Sequence, residues 1–433
     1  MADSIFRRTL TSASGRIVGV AAGLLASVLL AHGLAPAEFG LHAVLIGANA
    51  YALVFAEFGQ FQIALTRASA SVHERQPVSA LQAIAAAYFR ARMTAAVPMF
   101  LVSVAALSLF VPAEWDVALL VSFVVLVAPF QFDWLLVATG RDRHFAMAMA
   151  LRPIINCVIL VFATLFGVLS LEVAVTSFTI SFLLTFGLVW AWTFLDGARV
   201  RFWSVGSLGA AQAELRDGAG LMLAALVQQA QLNMDLLWAG AAFGPVQAGY
   251  YAVASQAATA SVIPAMALLW TVQSSIAGRK GPDLAIELGS SIRVAVFYAV
   301  PTMLALALAG PMLTVVVFGA SYAPAAAVVE AFAPYVGVRY VGIVLLAVIV
   351  VGGGRLRVFA LSLVSLAGTT SGLAVFHSID SLPYARAIGE AAGLVGSFCL
   401  LPKQMRWLVL GNAGLVPPAL AMVATGSFIV LCL

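Results

Sequence analysis

Long apolar runs separated by short polar breaks fill the chain from end to end. A helix that crosses a bilayer needs ~20 predominantly apolar residues. Thirteen candidates meet that length, at about 13–32, 40–64, 83–111, 117–139, 145–169, 172–195, 219–242, 246–272, 294–318, 325–350, 356–377, 382–402 and 411–432. Helix is the expected spanning form. Backbone groups in hydrocarbon must pair internally, and these runs are too long and too uniformly apolar for barrel strands. The last run is interrupted by Pro417–Pro418.

Composition agrees with the pattern. Hydrophobic residues make up 63% of the 433 and charged residues 9%, against about 25% charged in soluble proteins. The basic residues set an orientation. Arg7 and Arg8 precede the first run, Arg67 and Arg75 follow the second, and Arg141 and Arg143 the fourth. Arg199, Arg201 and Arg216 follow the sixth, Arg279 and Lys280 the eighth, Arg355 and Arg357 the tenth, and Lys403 and Arg406 the twelfth. The alternate loops carry Glu38, Glu114, Asp116 and Asp380, with no Lys or Arg. This predicts a cytoplasmic N-terminus, odd spans running outward and, with thirteen spans, a C-terminus outside. The net charge of +4 then reflects topology and anionic lipid headgroups, so no nucleic-acid partner is expected. Basic residues ahead of an apolar run also outline a secretory signal, but the repeat described next needs that segment as a helix.

Residues 34–44, LAPAEFGLHAV, are echoed at 243–253, FGPVQAGYYAV. Pro36 matches Pro245, Gly40 matches Gly249, and Ala43–Val44 matches Ala252–Val253. GRDRHFA at 140–146 is echoed by GRLRVFA at 354–360. Both echoes lie an even number of spans apart, so the copies share an orientation. The fold class expected is an all-α polytopic membrane protein. It has two parallel six-helix bundles related by a pseudo-twofold axis along the membrane normal, a central cavity and one extra C-terminal helix. The domain boundaries expected are 1–209, 210–405 and 406–433. Each Pro is expected to start a helix, and each Gly to allow close packing at its beginning.

The same residues carry a resemblance. LAPAEFGLHAV at 34–44, NMDLLWAGAAFGPVQAGYYAVA at 233–254, with Asp235 ahead of the Pro-x-x-x-Gly-Tyr element, and VVFGASYAPAA at 316–326, with Gly319 and Tyr322, resemble the polysaccharide flippases of the multidrug/oligosaccharidyl-lipid/polysaccharide exporter superfamily. Each motif is short, and the specificity lies in their succession along almost the whole chain. The resemblance implies two six-helix bundles around a V-shaped cavity. It also implies transfer of lipid-linked oligosaccharides across a bacterial inner membrane. Two departures stand out: Ala35 occupies the position of Gly244, and twelve or fourteen spans would be more usual than thirteen.

Charges inside the spans cost about 2.5–3.5 kcal/mol each at a helix centre, so they should face a cleft or pair. Gln228, Gln231 and Asp235 share one helical face, with Gln229 and Asn233 beside them. They read either as a cavity wall meeting sugar hydroxyls, with Asp235 protonatable, or as interhelical hydrogen bonds. Glu57, near Asn49 and Gln60, is a candidate for proton or sodium coupling or for an ion pair. Glu330, Tyr335 and Arg339 lie in the tenth span, with Arg339 about 15 Å from its cytoplasmic end. A guanidinium there can bind phosphate bidentately. Arg152, with Asn156 one turn on, is a second cavity candidate, and Arg16 a third. Arg386 is expected to pair with Glu390 four residues on, and Asp133 to answer Arg141 or Arg143. Arg90, Arg92 and Arg293 are expected to snorkel to the interface.

Cys157, Cys399 and Cys432 all fall in spans without metal-ligand spacing, and His32, His42, His73, His144 and His377 are scattered. No cofactor or metal is expected. There is no phosphate-binding loop, and the only lysines are Lys280 and Lys403, so energy should come from an ion gradient, the membrane potential or product removal. The leading expectation is a monomeric transporter, not an enzyme. It would flip a polyprenyl-pyrophosphate-linked oligosaccharide across the inner membrane, amid membrane lipids and beside a polysaccharide polymerase or ligase. An ion-coupled drug or small-molecule exporter, a membrane glycan polymerase or ligase, and a passive scaffold are the alternatives. The short outer loops and the buried charges weigh against the last two.

Overall fold

The computed structural model describes residues 2–111, 115–195, 208–276, 281–351 and 355–401. The predicted thirteenth span lies outside them. The described residues are helical throughout, with short turns and three short 3-10 segments between helices. Eight helical stretches among them are long and apolar enough to cross a membrane. The protein is a multi-pass membrane protein.

The chain divides into two compact units, residues 1–229 and 230–433. The first contains α1 (Ala2–Gly33), α2 (Pro36–Glu57), α3 (Gln60–His73), α4 (Val78–Ser108), α5 (Trp115–Val127), α6 (Asp133–Ala138), α7 (Asp142–Leu165) and α8 (Leu171–Leu195). The division falls within α9 (Leu208–Phe243). The second unit continues with α10 (Pro245–Ile276), α11 (Gly281–Leu308), α12 (Gly310–Phe318), α13 (Ala325–Ala331), α14 (Ala333–Val351), α15 (Arg355–Val375) and α16 (Leu382–Leu400).

The doubled sequence phrase has the structural meaning expected of it. Pro36 is the first residue of α2 and Pro245 the first of α10, where a missing N–H costs nothing and φ is already helical. Gly40 and Gly249 are both buried one turn later. The copies differ just before the proline. Ala35 is extended, with φ −63° and ψ 152°, whereas Gly244 has φ 86°. A left-handed residue there favours glycine, which accounts for the difference between the copies at that position.

Four predicted continuous spans are interrupted. The span at 40–64 breaks at Phe58 and Gly59, both left-handed with φ 49° and 68°. A Cβ on Gly59 would lie 2.6 Å from Leu221 Cβ and 2.8 Å from the Gly218 carbonyl oxygen, so the break packs directly on α9. The span at 117–139 breaks between α5 and α6, where a 3-10 turn at 128–130 contains Pro129 and Gln131 is extended. The span at 294–318 breaks at Ala309, ahead of Gly310–Pro311. The span at 325–350 breaks at Phe332, ahead of Pro334. Proline near the start of the following helix explains the last two, since it cannot complete the preceding hydrogen-bond ladder. Polar residues flank three of these breaks, Glu57 and Gln60 the first, Gln131 and Asp133 the second and Glu330 the last, yet the apolar runs on either side together still read as single spans.

Small residues set the closest helix contacts. A Cβ on Gly372 of α15 would sit 2.6 Å from Ala385 Cα of α16, and one on Gly19 of α1 would sit 3.0 Å from the Met149 carbonyl oxygen of α7. Without water to squeeze out, membrane helices associate through such close packing and through polar contacts.

Candidate functional site

The second unit buries a chain of charges. Asp235 on α9 is 1% exposed and Arg386 on α16 is 6% exposed. The Tyr251 hydroxyl on α10 donates to Asp235 Oδ2 at 2.6 Å, and the Leu236 amide donates to Oδ1 at 2.9 Å. Arg386 reaches the same Oδ2 at 3.4 Å and the Ser255 hydroxyl at 3.3 Å. Its guanidinium carbon lies 4.7 Å from the centre of the Tyr335 ring. One turn along α16 from Arg386, Glu390 accepts two hydrogen bonds from Arg339 Nη1, at 2.8 and 3.0 Å. Arg339 itself sits one turn along α14 from Tyr335. Asp235, Arg386, Glu390 and Arg339 therefore alternate in sign and sum to zero, as a set buried in low dielectric requires.

The expectation that Arg386 pairs with Glu390 is corrected. Both residues lie on one face of α16, but α9 and α14 bring opposite charges to each of them across the packing. Arg339 is ion-paired, and its side chain is 30% exposed. Only Nη1 is committed, which leaves the Nε–Nη2 edge, the edge that grips an oxyanion in parallel, without a protein acceptor among the described residues.

The first unit has a second polar cluster, at the break between α5 and α6. Arg92 on α4 was expected to snorkel, yet it is 1% exposed. Its Nη1 donates to the Tyr88 hydroxyl, its guanidinium carbon lies 5.1 Å from the Tyr88 ring centre, and its Nε is buried without a hydrogen-bond partner among the described residues. Tyr88 in turn donates to the Gln131 carbonyl oxygen in the break at 2.7 Å. Asp133 opens α6 and accepts from Gln131 Nε2 at 2.9 Å and from the Trp134 amide at 3.0 Å. Glu57, the last residue of α2, is half-buried and makes no ion pair among the described residues.

Other predicted residues separate into structural and free ones. Asn49 is structural: it donates to the Val121 carbonyl oxygen at 3.1 Å and accepts from Ser103 at 3.1 Å, which joins α2, α4 and α5. Gln60 donates to the Glu214 carbonyl oxygen at 2.7 Å. Nearby, Arg67 binds Glu214 at 2.6 Å and Asp217 at 3.0 Å. Gln231 donates to the Ser362 carbonyl oxygen at 2.8 Å. Asn156 accepts from Ser177 at 2.8 Å. Tyr335 is buried beneath Arg386. Gln228 is exposed and Asn233 half-buried. Glu330 is exposed at the end of α13. Arg152 is exposed on α7, with its guanidinium carbon 4.4 Å from the Phe182 ring centre and no carboxylate partner among the described residues. Arg16 belongs to α1, and its side chain lies outside the described ones.

Sequence reasoning missed Tyr251 and Tyr88 as network members. A signal for Tyr251 existed: Asp235 and Tyr251 stand at nearly equal distances on either side of the turn at Gly244, so a helical hairpin brings them level. Nothing comparable marks Tyr88, whose partners are reached through a break in the helix.

No family model matches the chain, and no curated protein matches it. Solved structures do. An inward-facing multidrug-resistance transporter of the MATE family, within the MOP superfamily, is similar with a TM-score of 0.70 at 14% identity, over 92% of this chain and 98% of that one. The lipid II flippase MurJ, in an inward closed conformation, gives 0.69 at 12% identity, over 97% and 92%. A MOP superfamily transporter from Pyrococcus furiosus, described as having a binding pocket of reversed polarity, gives 0.54 at 13% identity, over 97% and 96%. The chain has the fold of these transporters.

Proposed function

We propose that this protein is a flippase. It carries a polyprenyl-pyrophosphate-linked oligosaccharide from the cytoplasmic to the periplasmic leaflet of a bacterial inner membrane, for polysaccharide biosynthesis. The observation that carries the reading is the state of two arginines deep in spans. Arg152 has no carboxylate partner among the described residues, and Arg339 keeps one donor edge uncommitted. At about 1.5 Å rise per residue, Arg152 stands about 15 Å along α7. A charge at that depth costs free energy unless something meets it. An anionic substrate meets it, and a cationic drug does not. The shared fold with a lipid II flippase supports a lipid-borne substrate. Gln228 and Asn233 remain the candidates for sugar contact. Glu57, acidic and without an ion pair among the described residues, beside a helix break, remains the coupling-ion candidate ahead of the paired Asp235 and the exposed Glu330.

The test uses cells lacking the protein. Lipid-linked oligosaccharides are extracted and their sidedness is read with a membrane-impermeant glycosidase. Accumulation facing the cytoplasm is expected. Accumulation facing outward would point to a lost polymerase or ligase. No accumulation, with drug sensitivity instead, would favour an exporter.

A further inference from the structure

We infer that Glu390 is a built-in competitor for the anionic group that Arg339 receives, and that it yields by passing to Arg386. The inference rests on the reading of Arg339 as an anion contact. Glu390 holds Arg339 through one nitrogen, at 2.8 and 3.0 Å. A phosphate on the free Nε–Nη2 edge would stand beside that carboxylate, and two anions so close repel. Glu390 has somewhere to go. Arg386 lies one turn back on the same helix, at the spacing where side chains meet.

Arg386 is the loosely held member of the chain. Its contacts to Asp235 and Ser255 are 3.4 and 3.3 Å, at the long limit of hydrogen bonding. Asp235 does not depend on it, because Tyr251 at 2.6 Å and the Leu236 amide at 2.9 Å already serve both carboxylate oxygens. Transfer of Glu390 to Arg386 therefore breaks no strong bond at the inner end. It replaces one ion pair by two: phosphate with Arg339, and Glu390 with Arg386. In the empty state the same carboxylate keeps Arg339 neutralised. The consequence for selectivity is direct. A neutral glycolipid cannot displace Glu390, and an anionic one can.

The test is a binding measurement on the full-length protein in nanodiscs, with polyprenyl pyrophosphate and, separately, inorganic pyrophosphate as probes. Glu390→Gln keeps the side-chain shape and removes the competing charge. It should tighten polyprenyl pyrophosphate binding by about tenfold or more, the scale of a close charge pair. Arg339→Met should abolish binding in either background. Arg386→Met should weaken binding in the wild-type background and leave Glu390→Gln unaffected, a non-additivity that a purely structural role would not give. If Arg386→Met fails to fold, the pair Asp235→Asn with Arg386→Met, which also removes the carboxylate charge that Arg386 meets, serves the same purpose. Tightening of both probes assigns the effect to the oxyanion alone, and tightening of the lipid probe only assigns it to the lipid-borne group. Unchanged or weaker binding by Glu390→Gln, with Arg339→Met still abolishing binding, overturns the competition and leaves the Arg339 reading standing. Unchanged binding by Arg339→Met overturns the Arg339 reading itself.

Discussion

Tyr251 donates its hydroxyl hydrogen to Asp235 Oδ2 at 2.6 Å, and both side chains are at most 1% exposed. This is the shortest contact of the buried charge chain and ties α10 to α9 inside the second unit. A hydrogen bond to a charged group is worth about 1.5–3 kcal/mol, so Tyr251→Phe should lower stability by about that amount. Asp235→Asn should cost more, about 3–5 kcal/mol, because it leaves Arg386 buried without its counter-charge. The double variant should cost less than the sum, since both changes remove the same contact. Thermal unfolding of the purified protein in detergent measures all three. Additive losses would mean that the two side chains act independently.

Arg92 presents the opposite case. It is 1% exposed, touches Tyr88 by hydrogen bond and by its guanidinium face, and has no carboxylate in ion-pair contact among the described residues. The acids whose fields reach this cluster are Asp133 and Glu57. A buried charge without a tight partner contributes little stability against its desolvation cost. Arg92→Met, which fills similar volume, should leave the unfolding temperature unchanged or raise it. Arg92→Lys should lower it, because a lysine keeps the charge and loses the planar stacking on Tyr88. A loss of more than about 3 kcal/mol in Arg92→Met, the scale for breaking a real buried pair, would show that Arg92 is held by a counter-charge after all.

The all-helical character and the helix starts at the repeated prolines were legible in the sequence, because they rest on apolar length, proline and glycine. Pro36 and Pro245 open α2 and α10 as their positions demand. The breaks were not legible. Phe58 and Gly59 leave the helix between Glu57 and Gln60, for a reason that lies in the chain's close approach to Gly218 and Leu221 far along the sequence. Of the buried network the sequence marked some members, missed Tyr251 and Tyr88, and did not show the pairing. Arg339, Tyr335 and Asp235 could be singled out because polar residues in lipid are costly. Which acid meets which base depends on how α9, α14 and α16 pack, and local spacing favoured the wrong partner for Arg386. Arg92 was misread for a related reason. Its distance from the cytoplasmic end suits snorkelling, yet Tyr88 and the broken span beside it enclose the side chain.

The repeat also predicts membrane sidedness. Ala35 and Val246 flank the equivalent prolines and are both exposed, and their loops carry no Lys or Arg. Gln76, between α3 and α4, is exposed beside Arg75. Basic loops stay cytoplasmic, so the two proline loops should face outward and the Gln76 loop inward. In a background with the native cysteines replaced, Ala35→Cys and Val246→Cys should react with a membrane-impermeant maleimide in intact cells. Gln76→Cys should react only after the cells are opened. Each substitution is at an exposed position, so the fold should tolerate all three. The decisive result is the match between the first two. If Ala35→Cys and Val246→Cys label from different sides, the copies do not share an orientation, and the doubled phrase loses its reading as one turn used twice.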